Sequence, residues 1–426
     1  MSGLQKSLGG AVGTFLALST ILGSGMMILP GTSYHQLGRA AWMPWAIAAL
    51  AVVPLLYCYA WLGRRYPSAS GVAHYSEVAF NPTVARSSGL LAILALVTGI
   101  PATALTGGRY VADFSGVHSF TWLFPVLVLA AGAAVACAGA NVSGRLQVTL
   151  VLALFVLVLC TALVGLGAHG VEAPSVGLPK FSTLGAVLTA VFVAFTGWET
   201  VAFTFEEHKR PDAIPRIFAA SYLIVVALYG LLLLSLFATV DAGNDGLDSA
   251  PLLLLAERSL GELARPATLI LVASAITANV FASVLALSRL VFGMARSGYL
   301  PAPLTRTRVR DGNPVTSVLT VGALLTLIAV LVASGLVPLE ALFIVSGGIY
   351  FVLYGVGAAA FARLARGGRA RIVSVLCGVT VVCVTLLAGP SMWSSWVLFA
   401  LVALVFALLR RKTPAEAEPE RVKAPQ

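Results

Sequence analysis

Two short stretches carry residue types that could do chemistry. One is Gly23-Ser24-Gly25-Met26, inside "ILGSGMMILPG" (Ile21–Gly31); the other is Gly197-Trp198-Glu199, inside "FVAFTGWET" (Phe192–Thr200). Both interrupt apolar runs that would otherwise read as membrane-spanning helices. Glycine opens backbone conformations closed to other residues, and the proline at 30 removes a backbone donor. In lipid, each unpaired backbone group costs several kcal/mol, so a break of this kind persists where it lines a cavity or binds something. The chemistry available is recognition. Amides at the start of a half-helix attract an anion, here the amides of Ser24, Gly25 and Met26. Freed carbonyls at Ile21 and Leu22, and at Val193 and Phe195 opposite, accept from an ammonium. An α-amino acid, with both groups on one carbon, satisfies both sets. Small residues such as Gly23 and Gly25 also let helices pack closely, and the glycine pair alone does not separate the two readings.

The rest of such a pocket would read a side chain. The candidates are apolar: Met26, Phe192, Phe195 and Ile276. No basic or acidic residue is placed to recognise a charged side chain unless Glu199 does so. A neutral apolar substrate such as methionine, leucine or isoleucine therefore fits best. Glu199 lies well inside a spanning run, where a charge is expensive and usually marks a pathway or relay. Its two expected roles are proton carriage, or tying the broken helix to a backbone group. No lysine stands in the fifth apolar run to act as a fixed cation. Ser274, Thr277 and Ser283 offer oxygens that a sodium ion could use, or that could bond their own helices.

Composition sets the frame around these stretches. The chain has 426 residues, 59% hydrophobic and 10% charged, and a mean hydropathy of +0.94. Crossing a bilayer core of about 30 Å takes about 20 helical residues. Runs of that length predict twelve helices, at 10–34, 40–62, 87–112, 120–139, 145–168, 181–205, 216–240, 265–292, 314–335, 338–361, 370–388 and 392–409. Sorted by alternate loops, the 27 Lys and Arg residues divide unequally: only Arg39, Arg109, Lys180, Arg258 and Arg265 fall on one side. Positive residues stay cytoplasmic, so both termini are expected there, in a multi-pass protein of the plasma membrane. The net charge of +10 is then a topology signal and needs no nucleic-acid partner. Asn141-Val142-Ser143 falls in a cytoplasmic loop and is read as a chance glycosylation match. The charged, proline-rich tail at 410–426 is expected to be disordered. Five scattered cysteines read as small buried hydrophobes. The five histidines are dispersed, so neither an enzyme nor a metal or other cofactor is expected. The spanning runs are too apolar for a channel pore.

The first and sixth helices hold matching positions in two successive five-helix units. Paired broken helices in inverted halves are the sequence mark of a transporter's binding site. This predicts one transmembrane domain over 1–409, with a first repeat at about 10–168, a second at about 181–361 and extra helices at about 370–409.

Four ordered motifs then resemble the amino acid–polyamine–organocation superfamily: "GSGMMILPG" (23–31), "RRYPSASGVAHY" (64–75), "FTGWET" with the following "EEHKRPDAIPR" (206–216), and "SRLVFGMARSGYLP" (288–301). The N-terminus and the 64–75 loop most resemble the bacterial L-methionine/branched-chain amino acid exporter branch. The resemblance implies a five-plus-five inverted-repeat, all-α membrane fold with broken helices 1 and 6. It implies that Ile21, Ser24, Gly25 and Met26, joined by Phe195 and Gly197, bind the substrate backbone, and that Glu199 is linked to coupling. The expectation is a secondary transporter of neutral amino acids, exporting them with protons as the coupling ion. An importer, an exchanger and a transporter-like sensor are the alternatives.

Overall fold

The computed structural model describes residues 4–169, 175 and 177–412. The first span is broken into α1 (Gly10–Ile21) and α2 (Ser24–Leu37), bent by 52°. There follow α3 (Trp42–Arg65), short α4 (Val72–Ala79), α5 (Pro82–Ser115), α6 (Phe120–Cys137) and α7 (Ala140–His169). The sixth span is also broken, into α8 (Phe181–Val193) and α9 (Trp198–Val201), which a 3₁₀ stretch Ala202–Glu207 prolongs. Then come α10 (Ile214–Thr239), α11 (Pro251–Leu260), α12 (Ala264–Arg296), α13 (Val315–Ala333), α14 (Leu339–Leu364), α15 (Gly368–Ala388) and α16 (Pro390–Lys412). Ten described helices are long and apolar enough to cross a membrane. The bent first pair and the apolar stretch Met392–Leu408 bring the spans to about twelve.

Local signals explain most boundaries. Asn81 caps α5, its side-chain oxygen accepting from the Val84 amide at 3.0 Å, with Pro82 at the first helical position. Gly116, at φ +72°, ends the same helix. Gly335, at φ +78°, falls between α13 and α14, inside the "ASGLVP" stretch that divides them. Two helices were not expected. α4 and α11 lie in stretches that the sequence leaves as loops, because eight and ten residues are too few to span a membrane. α11 buries Leu252, Leu255 and Ala256 on one face against α7 and α2.

α12 forms the core of the bundle. Every residue from Ala278 to Ala295 is buried, as expected of a helix apolar all round. α5 packs along it. Outward-facing apolar residues such as Leu50 (72% exposed) and Leu386 (64%) form the lipid-facing surface of a multi-pass membrane protein. Cys58 and Cys377 are buried, but Cys160 and Cys383 are exposed on that surface, where a thiol meets lipid rather than core. Asn141 stands in the first turn of α7 rather than in a loop, with Ser143 buried. α16 continues to Lys412, and the rest of the expected tail, 413–426, lies outside the described residues.

The end of the bundle that holds the N-terminus is fastened by charges. Arg289 of α12, which charge sorting counts as a topology signal, is completely buried. It donates through Nε and Nη2 to the two oxygens of Glu207, at 2.9 and 3.1 Å, and through Nη2 to Asn313 Oδ1 at 2.9 Å. Asn313 Nδ2 in turn donates to the carbonyls of Ala136 and Cys137. Glu206 is held by Arg296 and accepts the amides of Leu4 and Ala69. The N-terminal segment joins the same knot: the Ser7 and Leu8 amides donate to the Glu207 carbonyl and the Lys209 amide to the Leu8 carbonyl.

Breaking one side of a buried pair strands the other charge. Arg289→Met is therefore expected to lower stability by about 3–5 kcal/mol, and adding Glu207→Gln should recover part of it. Thermal unfolding of the detergent-purified protein checks this; equal losses in the single and double variants would show that the pair is not coupled.

Candidate functional site

The two breaks meet at the middle of the bundle. The first is an inverse γ-turn: Leu22 has φ −77° and ψ 70°, and the Gly23 amide donates to the Ile21 carbonyl at 2.9 Å. A helix leaves its last four carbonyls unpaired. Here all four find donors. The Leu18 carbonyl accepts from the Leu22 amide. Those of Ser19 and Thr20 both accept from Asn279 Nδ2 of α12, each at 3.0 Å. Ile21 closes the turn. At the second break α8 tightens, with the amides of Ala194, Phe195 and Thr196 each donating three residues back. Gly197, at φ +111°, reverses the chain into α9. A side chain there would be strained, and its first carbon would lie 2.7 Å from the Thr20 carbonyl oxygen. The breaks thus touch through backbone.

A cavity of about 130 Å³ opens between them. Of the residues expected at the site, Ile21, Gly23, Gly25, Val193 and Gly197 line it. The Gly25 amide has no backbone partner among the described residues. The Met26 amide, expected to be free, donates to the Gly23 carbonyl at 3.2 Å. The carbonyls of Ile21 and Val193 are also engaged, by Gly23 and by Thr196.

Leu22, Met26, Phe192, Phe195 and Ile276 do not line the cavity; each is 5% exposed or less and faces the core. The Phe195 ring stands edge-on to Trp45 and Tyr229, at 6.0 and 5.5 Å between centroids. Phe192 lies 5.4 Å from Phe351. Ile276 fills the space left by Gly107, where an added side-chain carbon would come within 2.7 Å of it. Met26, Phe192, Phe195 and Ile276 were expected to read the substrate's side chain because they are apolar, and Leu22 to offer its carbonyl, but their side chains point into the packed core.

Apart from Ser283, the sequence reading missed the far wall. It consists of Gly99, Ile100 and Thr103 of α5, Asn279 and Ser283 of α12, and Ser346, Gly347 and Tyr350 of α14, closed by Phe343. One signal was available: Gly99 and Thr103, Asn279 and Ser283, and Ser346 and Tyr350 are each four residues apart, so each pair shares one helix face. Such small or polar pairs in otherwise apolar helices mark an inward face. Ser283 lines the cavity, whereas Ser274 and Thr277 do not. None of the described lining residues carries a formal charge.

Glu199 is buried beside the cavity rather than lining it. Its Oε2 accepts from the Gly197 amide at 3.2 Å, as a carboxylate does at a helix start. Its Oε1 faces the Tyr354 hydroxyl without closing a hydrogen bond of ordinary geometry.

The family model described as "Amino acid permease" matches residues 13–408. The chain belongs to the amino acid permease family. This permease is 28% identical over 425 residues to the L-methionine/branched-chain amino acid exporter YjeH of Escherichia coli, covering 97% of this chain and 99% of that protein. It is 27% identical over 349 residues to the uncharacterized amino acid permease YecA of Bacillus subtilis, covering 79% and 80% of the two chains. It is similar in fold to MhsT, solved in complex with L-phenylalanine, with a TM-score of 0.67 at 15% identity over 92% of this chain and 100% of that one. The permease therefore has the five-plus-five inverted-repeat fold with broken first and sixth helices, and its family transports amino acids.

Substitutions at two positions test this geometry. Asn279→Ala leaves two buried carbonyls without donors and is expected to cost about 1–3 kcal/mol, read as a lowered unfolding midpoint; an unchanged midpoint would mean the carbonyls find other donors. At Gly25 an added methyl would meet Leu29 and Ala194 at ordinary contact distances of 3.4–3.8 Å. Gly25→Ala should retain transport, while Gly25→Val should fill the cavity and abolish it at normal membrane abundance. Normal transport by the valine variant would remove the first break from the site.

Proposed function

We propose that this permease exports neutral apolar amino acids, methionine, leucine, isoleucine and valine, across the plasma membrane by alternating access, with protons as the coupling ion and both termini cytoplasmic. One observation carries the substrate class: a cavity without formal charge, set against the free amide at Gly25. That amide suits a carboxylate, and the wall of Thr103, Asn279, Ser283 and Ser346 can accept from an ammonium. Ile21, Gly23, Gly25, Val193 and Gly197 would contact the backbone of the substrate, and Ile100 and Phe343 its apolar side chain. Leu22, Met26, Phe192, Phe195 and Ile276 would act behind them, by fixing the shape of the breaks.

A cationic side chain is disfavoured, because Glu199, the buried acid beside the cavity, already has one oxygen on the Gly197 amide. The end-to-end similarity to a protein named as an exporter of these amino acids favours export over import. The charge asymmetry favours the orientation with the N-terminal end in the cytoplasm. For coupling, the support is Glu199: a carboxyl buried at membrane depth beside the second break is where proton binding would alter the break itself.

The test uses purified protein in liposomes preloaded with labelled methionine and leucine. Efflux should accelerate under an imposed proton gradient, and unlabelled lysine or glutamate should not compete. Glu199→Gln should keep exchange of labelled for unlabelled substrate but lose most of the response to the gradient. An unaltered pH response in that variant would leave Glu199 a structural group.

A further inference from the structure

Buried hydroxyls are normally hydrogen-bonded, and each exception calls for a reason. One exception, the Tyr354 hydroxyl, stands against Glu199, and a second, the Tyr75 hydroxyl, lies further along; both are completely buried and close no hydrogen bond of ordinary geometry. Between them lies Tyr59, also fully buried, its ring centroid 5.6 Å from that of Tyr354 and 6.4 Å from that of Tyr75. The Tyr59 hydroxyl donates to the Leu353 carbonyl at 2.8 Å. Gly357 makes room for it, since a side-chain carbon there would lie 2.8 Å from that hydroxyl.

The three tyrosines come from three elements, α14, α3 and α4, and form a row with a direction. Tyr350, one turn before Tyr354 on α14, lines the cavity and interacts with Thr200 and Ser346. Tyr354 faces Glu199. Tyr75 lies on α4, at the end of the bundle where the Ala69 amide meets Glu206 and the guanidinium of Arg363 stands over Phe80. The titratable groups facing Glu199 are the hydroxyls of Tyr59, Tyr350 and Tyr354, and the Cys58 thiol stands beside Tyr59 and Tyr75.

We propose that the hydroxyls of Tyr354, Tyr59 and Tyr75 form a buried relay that carries a proton between Glu199 and the N-terminal end of the bundle. The inference rests on the reading of Glu199 as the coupling carboxyl. Each transfer conserves atoms and charge. As the carboxylate takes a proton on Oε1, Tyr354 gives up its hydroxyl proton and receives one from Tyr59. Tyr59 turns from the Leu353 carbonyl to do so and is refilled from Tyr75, which takes its replacement proton from hydronium in the water at the N-terminal end of the bundle. Every hydroxyl ends with the proton count with which it began, and no electron moves. None of the three tyrosines lines the substrate cavity.

The experiment compares Tyr75→Phe and Tyr354→Phe with wild type in liposomes, reading internal pH with a trapped dye alongside labelled methionine. Both substitutions keep the ring and remove a buried hydroxyl that lacks a well-formed hydrogen bond, so folding should be unharmed. Each is expected to slow gradient-driven movement about tenfold and to change exchange at equal pH less than twofold. Tyr57→Phe, at an exposed site on the lipid side of α3, should match wild type in both. Wild-type driven rates in Tyr75→Phe and Tyr354→Phe would overturn the relay and leave proton coupling standing. Loss of exchange together with the driven rate in both variants would make the hydroxyls structural and overturn it too. A wild type indifferent to the gradient would overturn the coupling reading itself, and the relay with it.

Discussion

A peptide group that leaves a helix inside a membrane has no water to bond, and the centre of this permease is built around that constraint. The chain breaks twice at the same depth and supplies donors from its own structure for the exposed carbonyls. One is a three-residue turn at Leu22, and two come from the single amide of Asn279. Because Gly197 lies against the Thr20 carbonyl, neither break can shift without the other. The cavity lies between the two breaks, and the Gly25 amide on its wall has no backbone partner among the described residues.

The second break also connects the cavity to the closed end of the bundle. Residues 198–207 form one short helical segment. Glu199 lies in its first turn, and Glu206 and Glu207 lie at its end, bound to Arg296 and Arg289. Glu199 is therefore joined through two to three turns of helix to the ion pairs at the end of the bundle. Buried pairs of this type contribute little net stability against an apolar core, but they fix one arrangement over others. That suits a segment with two positions to choose between.

The sequence revealed the scaffold and the breaks more clearly than the lining. Long apolar runs, the glycine pairs and the helix-stopping residues have local causes, so the spans, their number and the interruptions could be read directly. Side-chain direction has no such cause. Phe195 is near a break in sequence but turns into Trp45, and Ile276 of α12 turns into the space left by Gly107, because neighbouring helices leave room there. Asn279 does the opposite. It is one polar residue in a long apolar helix, and its role depends on carbonyls 260 residues away in the chain. The Met26 amide was expected to be free, and the tightness of the γ-turn brings it onto Gly23 instead.

The pairing of residues 4–8 with Glu206, Glu207 and Lys209 sets a timetable for biogenesis. The Leu4 amide and its acceptor are 202 residues apart, and at 5–20 residues per second the ribosome takes about 10–40 s to make the intervening chain. For that interval the N-terminal segment waits without its partner while five spans enter the membrane. It docks only when the sixth emerges, and the ion pairs that Arg289 and Arg296 add at this end of the bundle follow later still.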